Sequence, residues 1–275
     1  FLVVLVTSKV DLASKTLKTT LLRLYQFKEV GEAFGNPVYQ LEDITLVTVN
    51  DELTRADYLE EKLGKDVYIY LSRHEAMAKR PSLLVHTPGN WLNKAEHGGK
   101  PMELAKCYAS AEKQILREIN SLALDLTPGY QVSLEATHHG PTSMESPVIF
   151  VEVGSSEKEW RDEKAAEVLA RAVVNSMPFR DFNEVYVGVG GPHYAPEFTR
   201  LNLETGIAVS HIAPRYVFDE GFNLDMLRVA AERTKEPVKG VLVHWKGLKS
   251  NHKQKLLDWL DKTKVKWEKL ERIKK

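Results

Sequence analysis

The sequence predicts an α/β protein, a three-layer α/β/α sandwich on a mixed, mostly parallel sheet. Three observations carry that prediction. Apolar, β-branched runs such as FLVVLVT at 1–7, VYIYL at 67–71 and SLLVH at 82–86 have the unbroken character of strands covered on both faces. Stretches with apolar residues at helical spacing alternate with them, the pattern of crossover-connected parallel strands. The runs at 38–41 and 44–49 lie too close for a crossover and predict one antiparallel pair, which makes the sheet mixed.

Each element follows from local chemistry. After the strand at 1–7, Asp11 or Ser14 caps a helix whose Leu17, Leu21 and Leu24 share a face. Gly35-Asn36-Pro37 turns the chain into the close pair. A polar segment at 51–65 precedes the strand 67–71, which closes on Ser72-Arg73-His74. The strand 82–86 ends on His86 and is stopped by Pro88-Gly89. Leu104, Ala111, Ile115, Ile119 and Leu122 predict a helix over 103–122. Strands at 131–136 and 148–153 flank the segment EATHHGPTSMES, and Ser156 with Glu159 forms a capping box for a helix reaching about 177. Strands at 184–189, 207–212, 238–244 and 264–267 alternate with helices near 224–233 and 252–260. No repeat or linker-like stretch interrupts 1–275, so one domain is expected, with about 215–275 as a basic appendage in the alternative.

Composition narrows the function. Lys+Arg and Asp+Glu are both 38, so a protein that coats nucleic acid by net charge is excluded, though a local basic patch is not. Cys107 stands alone, which rules out a disulfide framework and a thiolate zinc site and points to a reducing cytoplasm. No apolar run approaches a membrane span, and the run at 1–6 lacks the length and the basic flank of a signal peptide. A monomer without an obligatory protein partner is expected.

The chemistry concentrates at the ends of apolar runs. His74, His86, His138, His139 and His193 each follow one, Glu135 lies near the end of the run that precedes His138, and Glu152 near the end of the run at 148–153. In open α/β sheets ligands bind beyond the carboxyl ends of strands. A single histidine so placed is usually a hydrogen-bonded core residue, but five at one kind of topological position read as a site. Imidazole with carboxylate is the donor set of catalytic zinc, and the same residues suit a metal-free acid–base site. Gly188-Val189-Gly190-Gly191-Pro192-His193 lacks the third glycine of a dinucleotide fingerprint, and Pro192 interrupts the helix start that a pyrophosphate needs. It is read instead as a tight turn bringing the amides of Gly190 and Gly191 to a substrate carbonyl or phosphate. No G-x-S-x-G nucleophile motif occurs. Lys246, Lys249 and Lys253 open a lysine-rich stretch that reads either as a solvated face or as a patch for RNA phosphates.

Several motifs resemble one family. SRH at 72–74, HTPGNW at 86–91, EATHHGPT at 135–142, VEVGSSEKEW at 151–160, GGPHYAPEFT at 190–199 and SHIAPRY at 210–216 are similar, in order, to the archaeal and plant type of D-aminoacyl-tRNA deacylase. The likeness runs from about residue 1 to 220. Pro192 departs from that family's Gly-Gly-Gly-His turn. The resemblance implies a phosphorylase/hydrolase-like sandwich and zinc-dependent hydrolysis of the ester joining a D-amino acid to the 3′ end of tRNA. It also implies recycling of mischarged or N-modified D-aminoacyl-tRNA.

On that reading one or two zinc ions are held by some of His86, His138, His139, Glu152 and His193. Glu135, His74 or His211 relays the proton. Asn90, Gly190, Gly191 and Tyr194 contact the substrate, and Lys246, Lys249 and Lys253 seat the tRNA. Two readings from other classes stand beside it: a metallo-amidohydrolase or peptidase acting on small acyl substrates, and a non-catalytic tRNA-binding module with structural histidines.

Overall fold

A computed structural model describes residues 2–64 and 67–273. In chain order the first half comprises β1 (Val3–Ser8), α1 (Leu12–Leu24), β2 (Lys28–Ala33), β3 (Asn36–Leu41), β4 (Ile44–Val49), α2 (Glu60–Leu63), β5 (Val67–Glu75), β6 (Ser82–His86), β7 (Gly89–Asn90), β8 (Glu103–Leu104), α3 (Ala109–Leu126) and β9 (Gln131–Leu134). The second half comprises β10 (Val148–Ser155), α4 (Glu157–Trp160), α5 (Glu163–Asn175), β11 (Glu184–Val189), α6 (Pro196–Glu204), β12 (Ile207–Ala213), α7 (Arg215–Asp219), α8 (Met226–Glu232), β13 (Val238–Val243), α9 (Ser250–Thr263) and β14 (Trp267–Lys269).

The α/β class and the large mixed sheet are as the apolar runs predict. Its eight strands run β2-β3-β4-β1-β5-β10-β6-β9. β4, β1, β5 and β10 are parallel neighbours, β2-β3-β4 is an antiparallel meander, and β6 lies antiparallel to β10. Side-chain alternation sends Val151 and Val153 to one face, beneath α1, α3 and α5, while Tyr68, Tyr70 and Phe150 pack the other face with Leu53, Leu59 and Met144. The first cluster also takes in Phe198 of α6, Val209 and Ile212 of β12 and Leu242 of β13, so one continuous packing of side chains joins the large sheet to the elements after residue 195.

Several boundaries differ from expectation, each for a stated reason. The last strands form a second, four-stranded parallel sheet, β12-β11-β13-β14, rather than extending the first. β2 escapes detection because an exposed edge strand of sequence KEVGEA has no apolar period. The helix predicted over 103–122 begins at Ala109, because the backbone before it bonds elsewhere: the Ala105 amide donates to Pro88 O and the Cys107 amide to Arg233 O. The helix predicted from 156 to 177 is two, with the Ser156–Glu159 capping box starting α4 and Asp162 capping α5. Asp11 caps α1 by accepting from the Ser14 amide at 2.9 Å. Residues 1, 65, 274 and 275, which fall in the first strand, the polar segment and the basic tail expected from the sequence, lie outside the described residues.

Candidate active site

Residues 135–138 stitch the two sheets together. The Glu135 amide donates to Val85 O in β6, the Ala136 amide to His193 O, and the Thr137 amide to Ile212 O in β12. Buried amides must be paired, so this segment has no freedom to shift. Its Thr137 and His138 line a cavity of about 840 Å³ together with His74, His139, Glu152, His193 and Tyr194, with Asp11, Arg73, Asn90, Trp91 and Tyr216 around them, while Glu135 and His86 are not part of the lining. That volume is within the usual range of ligand sites, ~300–1,000 Å³.

The histidines meet across the face where strands of opposite direction adjoin, not along one carboxyl edge. β5 and β10 bring His74 and Glu152 from one side; β6 and β9, which run the other way, bring His86 and Glu135. His86 Nε2 lies 3.8 Å from both Glu135 Oε2 and Glu152 Oε1, and His139 Nε2 lies 3.8 Å from Glu152 Oε1. His74 Nδ1 is 3.3 Å from Glu135 Oε1 and 3.6 Å from Glu152 Oε2, and its Nε2 is 3.0 Å from the Tyr194 hydroxyl. The His86 and His138 rings stack at 4.3 Å between centroids.

Three imidazoles share one arrangement. The Nδ1 atoms of His86, His138 and His139 lie 3.3, 2.8 and 2.6 Å from the main-chain oxygens of Thr87, Ala136 and Gly140. An Nδ1–H donated to a carbonyl leaves Nε2 with a lone pair, the tautomer that binds metal. Ligand atoms of the three residues lie within 4.8 Å of one another, and His86 Nε2 is buried without a hydrogen-bond partner. Holding His139 there costs backbone strain, since its φ is +46°, in the left-handed region. The turn also depends on Gly140, where an added Cβ would come within 2.2 Å of the Gly99 amide nitrogen.

Charge is distributed unevenly in the group. Burial opposes ionisation of Glu152, but the imidazoles of His139, His74 and His86 gathered around it outweigh that and hold the carboxyl well below the usual carboxylate range. Burial likewise disfavours charge on His74 and His86, and Glu152 and Glu135 overcome it, so both are raised. His138 is pushed well down by burial and by the neighbouring imidazoles, and burial also lowers His139. Two of the five histidines are therefore drawn towards charge and two are kept neutral.

Other expected site residues fall differently. His193 is engaged at both nitrogens, Nε2 at 2.9 Å from Glu135 Oε1 and Nδ1 at 3.3 Å from the Tyr216 hydroxyl, so it couples to a carboxylate more closely than to the other imidazoles. His211 is a correction: it stands behind Thr137, wholly buried in β12 and outside the cavity lining, and burial lowers its pKa to about 3. Gly190 and Gly191 are a second correction. Their amides already donate to Ala213 O and Gly247 O, which leaves no free donor for an oxyanion. Asn90 lines the cavity, but its amide nitrogen is taken by Gly98 O and Lys100 O. Lys246, Lys249 and Lys253 lie outside the lining, and Lys249 is paired with Asp219 at 2.8 Å.

Sequence reasoning missed Tyr216 and Asp11. Tyr216 was visible only as part of SHIAPRY. Asp11 has a second role beyond capping α1, accepting from the Arg73 amide at 2.9 Å beside His74.

Comparison with known proteins identifies the family of the chain. Residues 61–268 match the family model described as D-aminoacyl-tRNA deacylase. A curated D-aminoacyl-tRNA deacylase of Pyrococcus furiosus is 38% identical over 91% of this chain and 93% of its own. That of Thermococcus onnurineus is 40% identical over the same shares, and that of Methanococcus vannielii 32% identical over 97% of this chain and 98% of its own. A crystal structure described as a conserved protein of unknown function superposes with a TM-score of 0.89 at 30% identity, covering 99% of this chain and 96% of the other. The chain belongs to the D-aminoacyl-tRNA deacylase family.

Proposed function

We propose, on the premise of that family membership, that this protein is a zinc-dependent enzyme that hydrolyses the ester between a D-amino acid and the 3′ end of tRNA. The observation that carries the metal is the triad of imidazoles, each with Nδ1 at a main-chain carbonyl and its other nitrogen left for a ligand. His86, His138 and His139 would hold the ion, with Glu152 facing two of them as a charged neighbour. The same carboxylates that raise His74 and His86 would favour a divalent cation in that place. When bound, zinc supplies Lewis acidity to the ester carbonyl and lowers the pKa of water towards ~7.

The rest belongs to the chain's own side chains. Glu135 accepts from His193 Nε2, and the Tyr216 hydroxyl faces Nδ1, a line of hydrogen bonds that fixes the ring of a cavity-lining histidine. With Nε2–H given to Glu135, the lone pair on Nδ1 takes a proton from attacking water by way of the Tyr216 hydroxyl and returns one by the same route to the ribose oxygen that leaves. His74, held by the two carboxylates and by Tyr194, keeps positive charge beside the carbonyl where negative charge develops. The segment 135–138, tied into both sheets, keeps these groups from relaxing, which is what preorganisation requires.

The test is hydrolysis of D-Tyr-tRNA and L-Tyr-tRNA side by side, before and after chelation and after zinc is restored. The expected outcome is loss of the D-ester alone, abolished by chelator and recovered with zinc. Hydrolysis untouched by exhaustive chelation, with no zinc in the protein by elemental analysis, would refute the metal. Hydrolysis of neither ester by folded, zinc-loaded protein would refute the substrate.

A further inference from the structure

We propose that Trp245 and the two lysines stacked on it, Lys253 and Lys269, form a phosphate-gripping surface packed against the loop that carries His193, and that the polyanion it takes is the acceptor stem of the substrate tRNA. The partner's identity rests on the deacylase reading; the surface itself rests on geometry. Lys269 Nζ lies 4.2 Å and Lys253 Nζ 5.3 Å from the centre of the Trp245 ring. Trp267 stacks against Trp245 at 6.0 Å with 26° between planes, and Glu271 accepts from the amides of Trp245 and Lys246, so the indole is anchored from two directions. The platform holds two ammonium groups, one on α9 and one on β14, against one ring. The rotamer entropy that a phosphate contact would otherwise cost is thereby reduced in advance.

These cations are also uncommitted. Some basic residues of the chain are matched, Lys249 with Asp219 and Lys264 with Asp261 in this region and Arg73 with Glu52 and Lys94 with Glu220 at the cavity, whereas among the described residues Lys255, Lys262 and Lys266 share the unpaired state but do not rest on the Trp245 ring. Among the described residues no carboxylate pairs with the ammonium of Lys246, Lys253 or Lys269. In a chain whose Lys+Arg and Asp+Glu balance at 38 each, the surplus of lysine after residue 244 is a local feature, as recognition of a polyanion by a neutral protein requires.

The surface is tied to the chemistry. The Gly191 amide donates to Gly247 O at 3.3 Å and the His244 amide to Val189 O at 2.8 Å, so the turn carrying Trp245 is built onto the loop that carries His193. A Cβ at Gly247 would stand 2.6 Å from the Gly191 amide nitrogen, which shows how closely the two backbones approach. A stem gripped at Trp245 would thus be held at a fixed distance from the histidine that faces the ester. Of the three lysines expected to seat tRNA, Lys249 is neutralised; Lys246 and Lys253 remain, and Lys269 joins them.

The experiment uses the full-length, zinc-loaded protein with Lys253 and Lys269 both changed to Glu, against a control with Lys255 and Lys262 both changed to Glu on the same helix. Uncharged tRNA binding is measured from low to moderate salt. Hydrolysis of D-Tyr-tRNA and of D-tyrosine methyl ester is measured alongside. The expected result is at least a tenfold weaker Kd in the first variant and a log–log salt slope shallower by up to ~2, since each lost phosphate contact removes ~0.9. KM for D-Tyr-tRNA should rise, with kcat and the methyl-ester rate unchanged. Trp245→Ala, which keeps both charges but removes their support, should weaken binding about threefold through lost preorganisation. Wild-type Kd and slope in the first variant, or an equal loss in the control, would overturn the proposal. So would unchanged tRNA affinity with lost binding to phosphatidylserine vesicles, which would assign the surface to a membrane. Failure of the wild type to hydrolyse D-Tyr-tRNA, with the tRNA Kd still sensitive to these lysines, would remove the deacylase reading and leave the surface standing.

Discussion

Glu152 and Glu112 are both buried carboxyls, at 3% and 2% exposure, and their pockets are joined by the peptide between His86 and Thr87. They titrate in opposite directions. Glu152 faces three imidazoles and is held well below the usual carboxylate range despite its burial. Glu112 sits on α3 beneath the sheet, meets the hydroxyl of Thr87, and is pushed up to about 8 because burial outweighs that one hydrogen bond. Its surroundings are Cys107, whose thiol burial raises well above its ordinary value, and a second buried glutamate, Glu236. A buried carboxylate stays charged only where donors or cations answer it, and otherwise takes up a proton. The first pocket therefore holds a charged carboxyl, and the second a neutral one behind His86.

The strongest way to break this contrast is to make the same change in both pockets. Glu152→Gln removes the charge that His74, His86 and His139 share. The expected loss in kcat/KM for D-Tyr-tRNA is about 10²–10⁴-fold, the range associated with a positioned ionisable group at a reacting centre. Glu112→Gln replaces one neutral group with another, and turnover at pH 7 should stay within about threefold of wild type. Comparable losses in the two variants would show that the pockets act as one.

The second prediction reads the pocket beneath α3 through stability. A carboxyl raised to about 8 in the fold from 4.5 unfolded keeps its proton where the unfolded chain has released it. The native state then binds more protons, so stability is full below pH 4.5 and falls as pH rises towards 8. This loss should amount to a few kcal/mol, measured as the urea midpoint across that window. Glu112→Gln should flatten the dependence. An unchanged slope in the variant would mean that Glu112 is ionised in the fold.

How much of this could be read beforehand depends on where each signal lies. His74 and His86 were legible because an apolar run that closes on an imidazole is a local event in the sequence, and so were Glu152 and the adjacent pair His138-His139. That they converge was legible only as a rule about strand ends, which holds strand by strand but does not show that the strands run in opposite directions. The direction of β6 is set by its pairing with β10, which no window of residues contains. The amides of Gly190 and Gly191 suited an oxyanion as glycines do, but their partners, Ala213 and Gly247, come from other segments. His211 lies inside the run 207–212 rather than after one, and within β12 its side chain falls behind Thr137, which no local pattern shows. Glu112 was hidden for the opposite reason: a glutamate in a helix reads as solvent-facing until packing shows which side of α3 is covered.

The smallest expected effect is the most discriminating, because it lies on the boundary between the pockets. Thr87 donates its hydroxyl to Glu112 while its carbonyl faces His86 Nδ1. Thr87→Val keeps the shape and the carbonyl but leaves the Glu112 carboxyl without that donor. Leaving a buried polar group unpaired costs about 1–3 kcal/mol, so a stability loss of about 2 kcal/mol is expected, with zinc content unaltered. The loss should be smaller in a Glu112→Leu background, where no polar partner remains to be orphaned, and a double-mutant cycle measures that difference. If Thr87→Val lowers zinc content or turnover as far as Glu152→Gln does, the hydroxyl is positioning His86 through its own backbone. The distinction between a reacting pocket and a supporting one would then give way to a single network running from Glu112 to the ester.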